Sequence, residues 1–128
     1  MSSDNVSAML IQLKNATAVG KPFVELPYSR FREALAKILQ AEGFVKEVKT
    51  FKVAGKSYKG LHLSEPNVAL VIRYSKPGRR VYQTAAHLEK LRRGLGTVII
   101  STSRGLLTMP EARKRRLGGE VICRVIAE

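Results

Sequence analysis

The 128-residue sequence predicts an α+β protein, in which an αβαββ first half precedes a mainly antiparallel β half with one short helix. Apolar residues recur at helical spacing in two segments before residue 44. Short β-rich runs between turn residues fill most of the remainder. Residues 64–67 contain Pro66, which disfavours helix in the residue before it, and form the one plausible linker. We therefore expect an α/β N-terminal domain at residues 1–65 and a mainly β C-terminal domain at residues 66–128.

The first predicted element is a helix, because apolar side chains fall on one face at intervals of three or four residues. Ser3 or Asp4 can cap its start, and Gly20 and Pro22 end it. A short strand follows at residues 23–26. The apolar face of the helix consists of Val6, Met9, Leu10 and Leu13.

The second predicted helix is capped at its start by Ser29 and at its end by Gly43. Two strands follow it, at residues 44–53 and 58–63, and a turn at residues 54–57 joins them. The apolar stripe of the helix consists of Phe31, Ala34, Leu35, Ile38 and Leu39.

The second half is predicted to be mostly strand. A β-rich run at residues 69–75 leads into a turn with Pro77 and Gly78 at its centre, as a type II turn prefers. The return strand begins at Val81. Residues 86–93 then form a short helical turn.

The C-terminal stretch carries the densest pattern. An apolar strand at residues 98–100 turns through residues 101–105 into a second short strand. Thr108 and Glu111 form a T-x-x-E capping box, which predicts the start of a helix. That helix is expected to end in four consecutive cations before a double glycine, and residues 120–126 form the last strand.

The charge is strongly positive, with a net of +13 for the chain. Residues 1–64 carry +5 and residues 65–128 carry +8, and ten arginines lie in the second half against two in the first. Such an excess favours a polyanionic partner, either nucleic acid or an anionic membrane surface. Because the planar arginine fork matches phosphate oxygens, the second half is the better candidate for the binding surface.

Several classes of protein are disfavoured. No run of about 18 apolar residues is present to cross a bilayer, and the N-terminus lacks the pattern of a secretory signal. Cys123 is the single cysteine, which is consistent with a reducing compartment. His62 and His87 do not make a metal site with it, so we expect no metal and no cofactor. The low aromatic content argues against a base-stacking platform of the single-strand-binding kind.

Catalysis is disfavoured as well. A serine nucleophile needs a nearby base and an orienting group, and neither histidine lies in a recognisable motif. Gly55, Lys56 and Ser57 resemble the tail of a phosphate-binding loop, but Thr50 stands where that pattern needs a glycine. We expect that the protein is not an enzyme.

Four motifs occur in order in the second half: SKPGRRVY, STSRGLLT, EAR and LGGEVIC. Together they resemble the signature of the small-subunit ribosomal protein S8 family, of bacterial or organellar type, and MLIQLKNA fits its first helix. The resemblance covers nearly the whole chain. It implies an αβαββ domain followed by a mainly β domain. It also implies a cytoplasmic or organellar ribosomal protein that binds the central domain of small-subunit rRNA and helps to assemble the platform.

The same resemblance implies further partners. These are the neighbouring small-subunit proteins of families five and twelve and, in some bacteria, the messenger RNA of the member itself. The alternative functions are a non-ribosomal RNA-binding module or translational repressor, and a small phosphate-handling enzyme.

The RNA-binding site is expected on the hydroxyl turn, the type II turn, the basic helix end and the double glycine, with a few side chains of the first half. The candidates are Ser101, Thr102, Ser103, Arg104, Gly105, Lys76, Pro77, Gly78, Arg79, Arg80, Tyr82, Arg113, Arg115, Arg116, Gly118, Gly119, Glu120, Lys14, Asn15, Arg30 and Lys56.

Most candidates also have a purely structural interpretation. Turn hydroxyls often bond their own backbone, and cations at a helix end complement its dipole. Tyr82 is either a core-facing strand residue or an aromatic that touches ribose or base. Gly118 and Gly119 either permit close approach of RNA or end the helix. We interpret Glu120 as a carboxylate that orients neighbouring Arg or Ser groups.

Overall fold

The computed structural model describes residues 3–56, 59–92 and 94–128, and within them the predicted α+β fold class is confirmed. Ser57, Tyr58 and Arg93, which the sequence places in a turn, at a strand start and at a helix end, lie outside the described residues. The elements are α1 (Ser3–Ala18), β1 (Phe23–Pro27), α2 (Arg30–Ala41), β2 (Val48–Lys52), β3 (Lys59–Ser64), β4 (Leu70–Arg73), β5 (Tyr82–Gln83), a 3₁₀ helix (Ala85–Arg92), β6 (Thr97–Thr102), β7 (Gly105–Thr108), α3 (Met109–Lys114) and β8 (Gly119–Ile126).

Helix α1 buries the predicted apolar face, whose four residues are at most 3% exposed. The predicted cap is wrong in detail, because the helix already includes Ser3 and so places Asp4 inside its first turn. A carboxylate still favours the helix there, since it faces the positive end of the helix dipole.

Helix α2 has the predicted N-cap, where the Ser29 hydroxyl accepts a hydrogen bond from the Arg32 amide at 3.1 Å. Gly43 follows the helix with a φ of 84°. The predicted stripe needs one correction, because Ala34 is exposed and Ala36 is fully buried. The buried face therefore runs through Leu35, Ala36 and Leu39, one position further round the helix than the pattern indicated.

The first sheet has three antiparallel strands in the order β1-β3-β2. Val24 of β1 and Val48 of β2 both lie opposite Leu63 of the central strand, and all three pack in the core below α1 and α2. The predicted strand at residues 44–53 begins only at Val48, because Phe44 and Val45 are drawn into the core from the loop before it.

The second sheet has the order β4-β8-β6-β7, and β5 also pairs with β8. The predicted strand at residues 69–75 is shorter, because β4 ends at Arg73. All pairs are antiparallel, and a register shift between Ile99 and Ile100 leaves Ile122 of β8 without an opposite residue on β6.

Two hydrophobic cores lie on the two faces of strand β6. Ile99 packs in a core shared with α1, α2 and the first sheet. Val98 and Ile100 pack in a second core with Leu88 and Met109, under the 3₁₀ helix and α3. A strand covered on both faces explains why this segment is a continuous apolar run and not an alternating one.

Candidate nucleic-acid interface

The hydroxyl residues lie at the end of the β6–β7 hairpin. Ser101 and Thr102 belong to β6, not to the turn, so the turn itself consists of Ser103 and Arg104. Gly105 follows with a φ of 102°, which favours glycine. The turn starts two residues later than the sequence predicted, because the ladder with β7 continues to the pair of Thr102 and Gly105.

Each hydroxyl has a different surrounding. Thr102 Oγ1 donates to the Gly105 carbonyl at 2.9 Å and accepts from the Arg104 amide at 3.1 Å. The Thr102 hydroxyl therefore holds the turn together, as expected if turn hydroxyls bond their own backbone. Ser103 lies exposed at the tip beside exposed Arg104, and Ser101 is half-buried.

Three of the candidates form a row across three strands. Glu120 of β8 lies opposite Tyr82 of β5 on one side and opposite Ser101 of β6 on the other. Directly opposite residues of an antiparallel pair point to the same face of the sheet, so the three side chains share one face. Tyr82 is 67% exposed, which rejects its interpretation as a core residue.

The turn at residues 76–79 has the predicted form. Lys76 and Arg79 exchange two backbone hydrogen bonds of 2.9 Å, and Gly78 has a φ of 77°. The arms of this turn are joined by Ser75, which is fully buried. Its hydroxyl donates to the Val121 carbonyl at 2.7 Å and accepts from the Val81 amide at 2.9 Å, so it ties the turn to β8.

Helix α3 begins after Thr108 as predicted, but the Thr108 side chain makes no capping hydrogen bond. Glu111, the other half of the predicted capping box, instead accepts from Arg115 Nε at 3.0 Å, one helical turn later. The predicted capping box is therefore not formed, although the helix begins at the predicted position.

The end of α3 differs from the prediction, because the helix stops before the double glycine. Arg116 takes the left-handed conformation with a φ of 57°. The Arg116 amide bonds to the Arg113 carbonyl at 3.0 Å and the Leu117 amide to the Ala112 carbonyl at 2.9 Å. This is the Schellman pattern, with an arginine where glycine is usual.

The two glycines are required by packing within the protein. A Cβ added to Gly118 would lie 2.6 Å from the Gln83 carbonyl oxygen, and one added to Gly119 would lie 2.1 Å from the Ser101 carbonyl oxygen. Gly118 and Gly119 therefore let β8 enter the sheet between β5 and β6, and they do not end the helix. With Tyr82, Thr84 and Arg116 they line a surface groove.

The four candidates of the first half lie on other elements. Lys14 and Asn15 are on α1, Arg30 is the first residue of α2, and Lys56 is in the loop between β2 and β3. None of them lies on the strands and turns that carry the row and the groove.

A network of charged side chains near the row had no signal in the sequence. The Asp4 carboxylate accepts hydrogen bonds from Arg73 Nη2 at 2.8 Å and from Arg80 Nη1 and Nη2, both at 3.2 Å. The hydrogen bond from Arg80 and the charges of both arginines hold the pKa of Asp4 below its usual value. Arg80 Nη1 also lies 3.9 Å from Glu120 Oε2. These partners are too far apart in the chain for any local pattern to connect them.

Other chemistry finds no support in the described part of the chain. It contains no group of three His, Cys, Asp or Glu residues placed to hold a metal ion, and none of its helices is both long and apolar enough to cross a membrane. Burial raises the pKa of the Cys123 thiol to about 12, so at neutral pH this side chain is protonated and behaves as part of the core.

Comparison with known proteins identifies relatives along the whole chain. The family model described as "Ribosomal protein S8" matches residues 4–126. A Thermus aquaticus protein named small ribosomal subunit protein uS8 is 43% identical, and the match covers 98% of this chain and 99% of its own length. A Deinococcus deserti protein of the same name is 42% identical and covers 96% of this chain and 98% of its own length. A Rhodopirellula baltica protein of the same name is 41% identical and covers 98% of this chain and 99% of its own length.

Proposed function

The chain belongs to the ribosomal protein S8 family and is a structural constituent of the small ribosomal subunit, and we propose that it binds the small-subunit rRNA directly. The contact is made in the central domain of that RNA, and the bound protein helps to assemble the platform. The second sheet carries the main contact surface.

The observation that carries this proposal is the row formed by Ser101, Glu120 and Tyr82, with the exposed tip residue Ser103 beside it. The row combines hydroxyl groups, a carboxylate and an exposed aromatic ring on one rigid sheet face. Such groups suit the 2′-hydroxyls, base edges and ring faces that an irregular RNA helix offers.

The cations around this face supply affinity. Lys76 and Arg79 lie exposed in the turn at one end. At the end of α3, the candidates Arg115 and Arg116 lie exposed beside Lys114, whereas the candidate Arg113 is half-buried. Contacts of this type bind phosphates, release counterions and carry little sequence information. Discrimination between RNAs therefore depends on the hydroxyl, carboxylate and aromatic groups of the row and on the hydroxyl of Ser103.

The candidates of the first half give a second, weaker set of contacts. Lys14, Asn15, Arg30 and Lys56 are polar or cationic and at least partly exposed. We propose that they touch the RNA backbone beyond the main surface, so that the two halves of the chain act together on one RNA.

Neighbouring small-subunit proteins of families five and twelve are the proposed protein partners. Binding of the protein to its own messenger RNA would use the same face, if that RNA presents a similar helix. A role as an RNA-binding module outside the ribosome has no observation of its own in its favour.

We propose no catalytic activity. His87 Nδ1 lies 2.8 Å from Thr84 Oγ1, and His62 stacks on Phe23 with its ring centroid 4.7 Å away. In these positions neither histidine is hydrogen-bonded to a hydroxyl of the β6–β7 hairpin, as a serine nucleophile requires.

Footprinting of the RNA that copurifies with the protein tests the proposal. We expect one protected region in the central domain of small-subunit rRNA, and tighter binding of a fragment containing it than of a scrambled fragment of equal length at the same salt concentration. Equal affinity for both fragments would contradict direct, specific rRNA binding.

A further inference from the structure

The Asp4 carboxylate lies where three parts of the chain meet. It belongs to the first turn of α1, and it receives Arg73 from the end of β4 and Arg80 from the segment before β5. Arg80 approaches both carboxylate oxygens with its two terminal nitrogens, each at 3.2 Å. This two-pronged geometry fixes the direction of a guanidinium more firmly than a single contact does.

The orientation of Arg80 matters for Glu120. Glu120 Oε2 is buried and makes no hydrogen bond within the described residues. A buried carboxylate oxygen without a hydrogen bond needs a nearby cation to be tolerated. Arg80 is such a cation, because its Nη1 atom lies 3.9 Å from that oxygen.

Glu120 is also the centre of the row with Ser101 and Tyr82. A shift of its carboxylate would therefore change the surface between the hydroxyl and the aromatic ring. The chain of contacts runs from Asp4 to Arg80, from Arg80 to Glu120, and from Glu120 to both neighbours.

We propose that Asp4 is a positioning residue for RNA recognition: it holds Arg80 against the protein, and through Arg80 it keeps Glu120 in place between Ser101 and Tyr82. The inference rests on the proposed function of this face. It gives Arg80 a role different from the phosphate contact that its sequence position indicates, since its charge is already used by two carboxylates. Arg79, which lies exposed in the turn, keeps the role of phosphate contact.

The competing interpretation is that Asp4 only attaches α1 to the second sheet. In that case its loss would lower the stability of the fold and would leave the choice between RNAs unchanged. Stability and discrimination are therefore measured separately.

The experiment compares the full-length wild-type protein with Asp4→Asn, Arg80→Gln and the double variant. Glu47→Gln is the matched control, because it removes the same charge from an exposed carboxylate, which lies just before β2 and pairs with Lys49 of that strand at 3.3 Å. Binding of the footprinted rRNA fragment and of a scrambled fragment is measured over a series of salt concentrations, at a temperature where all variants are folded.

We expect Asp4→Asn to weaken binding of the rRNA fragment by about tenfold, within the range of coupling between neighbouring charged groups. Asp4→Asn should not weaken binding of the scrambled fragment. If the freed Arg80 contacts a phosphate, the log–log salt slope of Asp4→Asn for that fragment should be steeper than that of Glu47→Gln by up to about 0.7 to 0.9. In the Arg80→Gln background, Asp4→Asn should have no further effect on discrimination, because both changes interrupt the same chain of contacts.

Other outcomes overturn the inference. They are a loss of discrimination no larger than that of Glu47→Gln, or losses that add up in the double variant. If Asp4→Asn does not fold, Arg80→Gln against Arg79→Gln decides: the first should lower discrimination with an unchanged salt slope, and the second should flatten the slope. The reverse pattern rejects the positioning role.

A wild-type protein that does not prefer the rRNA fragment rejects the proposed function itself, whereas a wild-type preference that Asp4→Asn leaves intact rejects only this inference.

Discussion

The hydroxyl groups at the end of the β6–β7 hairpin differ in what they bond, and this separates their roles at the scale of single residues. The Thr102 hydroxyl makes two hydrogen bonds to the backbone of its own turn, whereas Ser103 is exposed at the tip. The Thr102 hydroxyl therefore stabilises the turn, and we propose that the Ser103 hydroxyl contacts the RNA.

Ser103→Ala is expected to weaken binding of the rRNA fragment by about 0.5 to 1.5 kcal/mol, the usual net contribution of one hydrogen bond. The salt slope should stay the same, because a neutral hydroxyl releases no counterion. The measurement is affinity for the rRNA and scrambled fragments at one salt concentration, with the free energy of unfolding determined beside it.

Thr102→Val is the matched control for that change. It removes a hydroxyl of the same hairpin and should lower the free energy of unfolding by about 1 to 2 kcal/mol, since two backbone partners lose their hydrogen bonds. A Ser103→Ala protein that loses stability as much as Thr102→Val, or that weakens equally toward both RNAs, would show that Ser103 has no role in discrimination.

At the scale of elements, the end of α3 holds an arginine in a conformation that favours glycine. The left-handed region is unfavourable for a residue with a Cβ by about 1 kcal/mol or more, and Arg116 occupies it with a φ of 57°. Backbone strain of this kind is a reason to look for a function of the side chain. The exposed position of Arg116 at the rim of the groove with Tyr82 agrees with a phosphate contact.

Arg116→Gly is expected to raise the free energy of unfolding by up to about 1 kcal/mol, because glycine adopts this conformation without strain. The same change should weaken RNA binding and reduce the log–log salt slope by about 0.7 to 0.9, as the loss of one phosphate contact does. Chemical denaturation and salt titrations measure the two effects.

Arg115→Gly serves as the comparison for this prediction. Arg115 has a φ of −87° and bonds to Glu111, so glycine there should destabilise the protein instead. If Arg116→Gly stabilises the fold but leaves the affinity and slope for RNA unchanged, Arg116 is not a phosphate contact.

At the scale of the whole molecule, the two sheets are built from separate stretches of chain but share one core. We propose that the division at residues 65 and 66 separates two domains in topology, with the first sheet before it and the second after it. Leu10 and Leu63 from the first part nevertheless pack in one cluster with Ile99 and Ile122 from the second. Domains joined in this way should unfold together.

Ile122→Ala is expected to lower the free energy of unfolding by about 2 to 4 kcal/mol, because Ile122 is only 1% exposed and its loss leaves a cavity in the shared core. Amide exchange should become faster in β3 as well as in β8, although Ile122 belongs to β8 alone. Leu95→Ala is the control, because Leu95 is 76% exposed, and it should change neither the free energy of unfolding nor the amide exchange rates of β3 and β8. Two separate unfolding transitions, with β3 unaffected by Ile122→Ala, would indicate independent domains.

Much of this protein follows from local patterns in its sequence. The spacing of Val6, Met9, Leu10 and Leu13 gave the buried face of α1, and Ser29 and Pro77 marked a helix start and a turn that the structure contains. These features depend on a few neighbouring residues, because helix periodicity, capping and turn geometry act over short separations. The ordered motifs of the second half identified the family in the same way, and the basic charge indicated a polyanionic partner.

The tertiary structure alone decided how those local pieces meet. Asp4 binds Arg73 and Arg80, which are 69 and 76 residues away, and Ser101, Glu120 and Tyr82 meet only because β8 pairs with both β6 and β5. The sequence pattern placed Gly118 and Gly119 at a helix stop. Glycine is required there for a different reason, because a Cβ at either position would clash with a backbone carbonyl oxygen of β5 or β6. Such contacts depend on strand order and register, which arise when distant apolar faces find a common core, and no spacing within the chain records which faces those are.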